Sequence, residues 1–249
     1  VYSWGLNDYG QLGNGVVTSS PTATLVSGVV SAVAVAAGGY HTVALKGDGT
    51  ALAWGSNFYG QLGNGSRTDS STPVPVSGLA GAISVAAGAV HTLALKSDGT
   101  VWAWGSNLSG QLSTSLTVTR SAVPVPVSGL TGIIGISAGD NNSAAVRSDG
   151  TVWAWGDNTF GQLGNGTPTQ SSMPVQVIGL ADVVAIAAGA NHMVAVKHDG
   201  TVWAWGYNSF GQLGDGTVTQ RTTPVHVGGL SDVIAVAAGG NQTAAVMNG

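Results

Sequence analysis

Short apolar runs separated by glycine-bearing polar turns recur along the whole chain. Ala82-Ile83-Ser84-Val85-Ala86-Ala87-Gly88 reads as a strand of small residues, and His91-Thr92-Leu93-Ala94-Leu95-Lys96 as a second strand. Between that run and Thr100-Val101-Trp102-Ala103-Trp104-Gly105 lies Ser97-Asp98-Gly99, a tight-turn signal flanked by alternating residues. This pattern predicts a β-hairpin. A longer polar loop follows, and Pro124-Val125-Pro126-Val127 then predicts a fourth strand. Prolines two apart suit only an outer edge, because each removes a ladder donor. The Ala/Gly-rich strand belongs innermost, where bulky side chains do not fit.

The four-strand pattern is periodic. The stretch Thr151-Val152-Trp153-Ala154-Trp155-Gly156-Asp157-Asn158-Thr159-Phe160-Gly161-Gln162-Leu163-Gly164-Asn165-Gly166 has five versions, whose second Trp is Trp4, Trp54, Trp104, Trp155 or Trp205. The intervals are 54−4 = 50, 104−54 = 50, 155−104 = 51 and 205−155 = 50. A unit of this size cannot bury its own apolar face, so the units pack on one another as one body. Four-stranded sheets repeated about an axis make an all-β propeller, here a single domain over residues 1–249. The first residues, Val1-Tyr2-Ser3-Trp4, fall inside strand three, and the last run, Thr243-Ala244-Ala245-Val246, is strand two, with Asn248-Gly249 at the turn. The N-terminal strands are therefore expected to complete the C-terminal blade and close a five-bladed ring. A five-repeat piece of a larger ring is the alternative.

The Ala-Ala-Gly inner strand, the His-Thr-x-Ala-Leu strand and runs such as Trp54-Gly55-Ser56-Asn57-Phe58-Tyr59-Gly60-Gln61-Leu62-Gly63-Asn64-Gly65 resemble the regulator of chromosome condensation repeat. The resemblance covers essentially the whole chain. It implies a propeller with this strand order and with blades closed by strand sharing. Its best-known members have seven blades, whereas this chain has five repeats. The family implies no single function, since its members act as a nucleotide exchange factor for a small GTPase, as an ultraviolet photoreceptor and as an inhibitor of β-lactamase.

Charge is scarce: 7 Lys and Arg against 11 acids, all of them Asp, for a net charge of −4. An average domain has roughly 25% charged residues. With no basic run, a nucleic-acid partner is not expected. The absence of Cys excludes disulfides, thiolate metal sites and Cys nucleophiles. Val26 to Leu45 is the nearest approach to a bilayer span, but Ser, Gly and His interrupt it, so no membrane insertion is expected. No cofactor or metal is expected, and the composition suggests a secreted or cell-surface monomer of bacterial type.

Candidate chemistry lies where the repeats differ. Gly13-Asn14-Gly15 and its equivalents become Ser113-Thr114-Ser115 in the third repeat. On the third-repeat blade, Asp140 and Asp157 fall in the loops after strands one and three, which open on one end of the blade. Two carboxylates on one rim suit acid and base roles in glycoside hydrolysis. The same rim carries Asn141 and the aromatic residues Tyr9, Tyr40, Phe58, Tyr59, Phe160, Tyr207 and Phe210. His41, His91 and His192 share one repeat position with Asn142 and Gln242, a set that suits hydrogen bonding within each loop better than zinc. The Trp pairs suit blade-to-blade packing. The reading that follows is a binding scaffold that presents one loop rim to a protein or glycan partner. A secreted polysaccharide hydrolase using Asp140 and Asp157 is the alternative, and small-GTPase regulation rests on the resemblance alone.

Overall fold

A computed structural model describes residues 1–248, and every regular element among them is a strand. The Asn248-Gly249 turn read from the sequence reaches Gly249, outside the described residues. The chain opens with β1 (Tyr2–Gly5) and β2 (Ser20–Leu25). The first complete blade is β3 (Ala32–Ala37), β4 (His41–Lys46), β5 (Ala51–Gly55) and β6 (Ser70–Pro75), and the second is β7 (Ala82–Ala87), β8 (His91–Lys96), β9 (Val101–Ser106) and β10 (Arg120–Pro126). The third is β11 (Ile133–Ala138), β12 (Asn142–Arg147), β13 (Val152–Gly156) and β14 (Ser171–Gln176). The fourth is β15 (Val183–Ala188), β16 (His192–Lys197), β17 (Val202–Gly206) and β18 (Arg221–His226), and β19 (Val233–Gly239) and β20 (Gln242–Met247) end the chain.

Each complete blade is an antiparallel sheet in sequence order, with the Ala-rich strand inside and the Pro-bearing strand outside. This is the propeller that the patterning predicts. Consecutive inner strands from β3 to β19 pack against one another. In the hairpin turns, the Asp98 carboxylate accepts from Thr100 N at 3.0 Å and from Thr100 Oγ1 at 2.6 Å. Asp48, Asp149 and Asp199 repeat the motif. Those hydrogen bonds stabilise the ionised carboxylate and hold its pKa below the usual range.

The core lies between blades. Trp54, Trp104, Trp155 and Trp205 are fully buried. Trp104 packs into the preceding sheet against Val43, Leu45, Ala53, Leu62, Val76 and Leu79. Its indole Nε1 donates to Gln61 O at 2.9 Å, and the other three indoles repeat the bond to Gln11, Gln111 and Gln162. Every such Trp precedes a glycine at a bulge, where the pairing with the outer strand shifts. Gly105 sits at φ 102°, and a Cβ there would lie 2.6 Å from Val90 O, so only glycine fits.

The two half-blades form separate two-stranded sheets. Among the described residues β1 pairs only with β2, and β20 only with β19. All six residues of β20 are exposed, and Trp4 is 65% exposed where its four equivalents are fully buried. The strand sharing expected to close the ring is thus not among the pairings formed.

Candidate interaction rim

At one end of the blades, the inner loops meet the long loops that follow β5, β9, β13 and β17. Ser56 N, Ser106 N, Asp157 N and Tyr207 N donate to Tyr40, Val90, Asn141 and Asn191 O, all within 2.9 Å. A buried Asn holds each long loop in shape. Asn158 Nδ2 donates to Asn165 Oδ1, Thr167 O and Thr169 O, and its Oδ1 accepts from Leu163 N. Asn7, Asn57, Asn107 and Asn208 occupy the same place and are fully buried. One acceptor and two donors on a short side chain are the reason this position is Asn in all five repeats.

The rim and the opposite face differ in chemistry. Tyr9, Tyr40, Phe58, Tyr59, Phe160, Tyr207 and Phe210 all lie in rim loops, which leaves Tyr2 as the one Tyr or Phe elsewhere. The opposite face holds the hairpin turns and their charges, including the ion pairs Lys46–Asp48 at 3.0 Å and Arg147–Asp149 at 2.6 Å. The rim aromatics form two groups. Tyr9 and Tyr40 meet edge-to-face at 5.3 Å, and Phe58 and Tyr59 at 5.0 Å. These four line a cleft of about 720 Å³ with Ser56, Gln61, Arg67, Thr68, Asp69 and Val90. Phe160, Tyr207 and Phe210 form the second group, at 4.7 and 6.0 Å.

The two candidate carboxylates occupy different surroundings. Asp157 Oδ1 accepts from Thr159 N and Oγ1, and its Oδ2 accepts from Gln162 Nε2 at 2.9 Å, so the group is spent on shaping its own loop. Asp140 makes no side-chain hydrogen bond to protein. It lines an axial pocket of about 260 Å³ whose other walls are Ala and Gly from all five inner loops. These apolar walls strip water from the carboxylate and raise its pKa. A belt of backbone bonds joins the same loops, from Gly39 N to Gly88 O, Ala89 N to Asp140 O, Asp140 N to Ala190 O and Ala190 N to Gly240 O. Asn141 is spent locally, with its Oδ1 accepting from Gln111 Nε2 at 3.3 Å.

The histidines bond across blades rather than to their own loops. His41 Nε2 meets Thr92 Oγ1 at 2.9 Å, His91 Nε2 meets Ser143 Oγ at 3.0 Å, and His192 Nε2 meets Thr243 Oγ1 at 2.9 Å. Each hydroxyl donates onward to a Gln carbonyl: Thr92 to Gln61 O, Ser143 to Gln111 O and Thr243 to Gln212 O. The hydroxyl proton is therefore committed, and each His must donate from Nε2. Burial lowers the His41 and His192 pKa to about 4 and that of His91 to about 3. No group of three His, Cys, Asp or Glu able to hold a metal occurs among the described residues.

The sequence missed most polar groups of the aromatic cleft. Ser56 and Gln61 belong to the repeat motif and Arg67, Thr68 and Asp69 to none, and they converge because the long loop folds back over its buried Asn.

The family model described as the RCC1-like domain matches residues 1–249. Human WBSCR16 matches over the whole chain with a TM-score of 0.90 at 27% identity, and the match spans 67% of that chain. Yeast RCC1 (Prp20), in a structure with Kap60, matches 96% of this chain with a TM-score of 0.81 at 24% identity, spanning 60% of its partner in the comparison. A segment of 49 residues is 41% identical to the E3 ubiquitin-protein ligase HERC2 of Homo sapiens and of Mus musculus, which is 1% of those proteins' length.

Proposed function

This chain belongs to the RCC1-like domain family, and on that premise we propose that it is an interaction scaffold whose loop rim binds a protein partner. The observation that carries the reading is the segregation of the rings: all Tyr and Phe but Tyr2 stand on the rim. Tyr and Phe supply large contact area at small entropic cost, and they are enriched where protein surfaces meet. Asp140 adds an unpaired carboxylate at the rim's axis, suited to a basic side chain of the partner. Among the similar structures, yeast RCC1 (Prp20) is bound to Kap60, and Prp20p was described with its binding to Gsp1p and histones. Those partners belong to those proteins, and they support the class of function. The rigid belt of inner-loop bonds keeps the rim pre-organised, which limits the entropy lost on binding.

The test compares three immobilised forms of the chain as bait with cross-linking of captured proteins. One is unaltered, one is a rim variant (Asp140→Asn with Tyr207→Ala), and one is a hairpin-face variant (Lys46→Gln with Lys197→Gln). A protein held by the unaltered and hairpin-face baits and lost from the rim variant supports the reading. Retention by the rim variant, or no capture above an unrelated bait, overturns it.

A further inference from the structure

The first unusual feature of the aromatic cleft is an amide. In three repeats the side-chain nitrogen of the Gly-Gln-Leu glutamine is capped within the protein. Gln111 Nε2 donates to Asn141 Oδ1, Gln162 Nε2 to Asp157 Oδ2 and Gln212 Nε2 to Asn241 Oδ1. At Gln61 the two capping positions hold Val90 and Ser56 instead. Gln61 Oε1 still accepts from Tyr59 N at 3.0 Å, but Nε2 has no protein acceptor. The residue is 1% exposed and lines the cleft. The little of Gln61 that is exposed opens into the cleft, so an occupant of the cleft can accept from its amide. Ser56, also buried and also lining the cleft, makes no side-chain hydrogen bond.

The rest of the wall says what kind of acceptor. Arg67 and Asp69 both line the cleft, so charges of both signs face an occupant, and Arg120 lies over the Phe58 ring at 5.6 Å from its centroid. Arg67 makes no ion pair with an acid among the described residues, and Asp69 Oδ1 accepts from Asn57 N, leaving its second oxygen free. The hydroxyls of Tyr9, Tyr40 and Tyr59 make no hydrogen bond to protein. The cleft therefore offers donors and acceptors in balance, next to the faces and edges of four rings. Backbone groups offer little. Ser56 N, Gly60 N and Gly63 N are already paired within the loops, so an extended peptide finds no ladder to join.

We propose that the Tyr9–Tyr40–Phe58–Tyr59 cleft is a binding site for a neutral oligosaccharide. A pyranose presents C–H faces that stack on aromatic rings, and hydroxyls that each donate and accept. Those hydroxyls match the free Gln61 amide, the Arg67 guanidinium, the Ser56 hydroxyl and the open Asp69 oxygen. A volume of about 720 Å³ lies within the range of small-ligand sites. This site shares four rings with the rim of the protein-binding reading, but its test reads sugar binding at Phe58 and Val90 alone, so its failure leaves the reading tested at Asp140 and Tyr207 standing.

The test is calorimetric titration with soluble hexasaccharides of β-1,4-linked glucose, xylose, mannose and N-acetylglucosamine and of α-1,4-linked glucose, with oligogalacturonate as the anionic comparison. At least one neutral hexasaccharide is expected to bind, and oligogalacturonate to bind more weakly. Phe58→Ala removes a stacking ring. Val90→Asn installs the residue found at Asn141, Asn191 and Asn241, and so gives Gln61 Nε2 an internal acceptor without foreign chemistry. Each is expected to weaken binding about tenfold, the order of one lost hydrogen bond or ring contact, with the thermal melting curve unchanged. Absence of binding by every neutral sugar, tighter binding of oligogalacturonate, or unweakened binding by both folded variants overturns the proposal.

Discussion

Ser113 stands where four other repeats have glycine, at Gly13, Gly63, Gly164 and Gly214. The backbone there is left-handed in every repeat, with φ 56° at Ser113 and 62–68° at the glycines. The glycine also leaves room for the neighbouring indole: a Cβ on Gly63 would lie 2.7 Å from Trp104 Nε1. Ser113 thus carries a side chain in a conformation that L residues avoid, against a tryptophan. The residue is 3% exposed, and its buried hydroxyl makes no hydrogen bond. Removing the strain and the orphaned hydroxyl both favour the folded state. Ser113→Gly is expected to raise stability by about 1–2 kcal/mol, read as a higher urea midpoint at unchanged slope. An unchanged or lower midpoint would mean that the loop has relaxed around the serine. At this scale the sequence was informative. The replacement of Gly-Asn-Gly by Ser-Thr-Ser stood out as broken symmetry, although only the dihedral angle shows it as strain.

Between elements, the His–hydroxyl–carbonyl relay ties β4 to β8, β8 to β12 and β16 to β20. The sequence shows the column of His with Asn and Gln substitutes, which favours hydrogen bonding over zinc. It did not show the partner, because the partner lies a full repeat away, at Thr92 for His41 and Ser143 for His91. The same limit hid the cleft around Gln61, whose missing cap is a matter of Val90, 29 residues on in the next blade's inner loop. The relay makes stability depend on pH. The native pKa values of His41, His91 and His192 lie at about 4, 3 and 4, below the unfolded value near 6.5. Falling pH protonates the unfolded chain first, so stability is full above about pH 6.5 and is lost as pH falls toward 4. Each buried His contributes up to about 1.4 kcal/mol per pH unit within that window. Most carboxylates remain ionised at pH 5, so a fall in the urea midpoint between pH 7 and pH 5 reports the histidines. His91→Asn, which copies Asn142, is expected to reduce that fall by about a third. An unchanged pH dependence in this variant would place the titration elsewhere.

For the whole molecule, the strand order, the inner and outer edges and the packing role of the second Trp were all legible, because they follow from alternation, proline and period. The expected pairing of β1 with β20 is not among the strand pairings formed, and it is the one pairing in the fold that joins residues a whole chain length apart. Trp4 measures the difference. If the ends are apart, Trp4 has little packing to lose, whereas Trp104 fills the space between Val43, Leu62 and Leu79 and bonds Gln61 O. Trp104→Ala is then expected to cost about 3–5 kcal/mol, as deletion of a buried indole does. Trp4→Ala is expected to cost less than about 1 kcal/mol, as surface substitutions do. Denaturation of the two variants side by side decides it. In a ring closed by β1 on β20, Thr243 would lie opposite Trp4 as Thr42 lies opposite Trp54, its indole would reach Gln212 O, and the two substitutions would cost nearly the same.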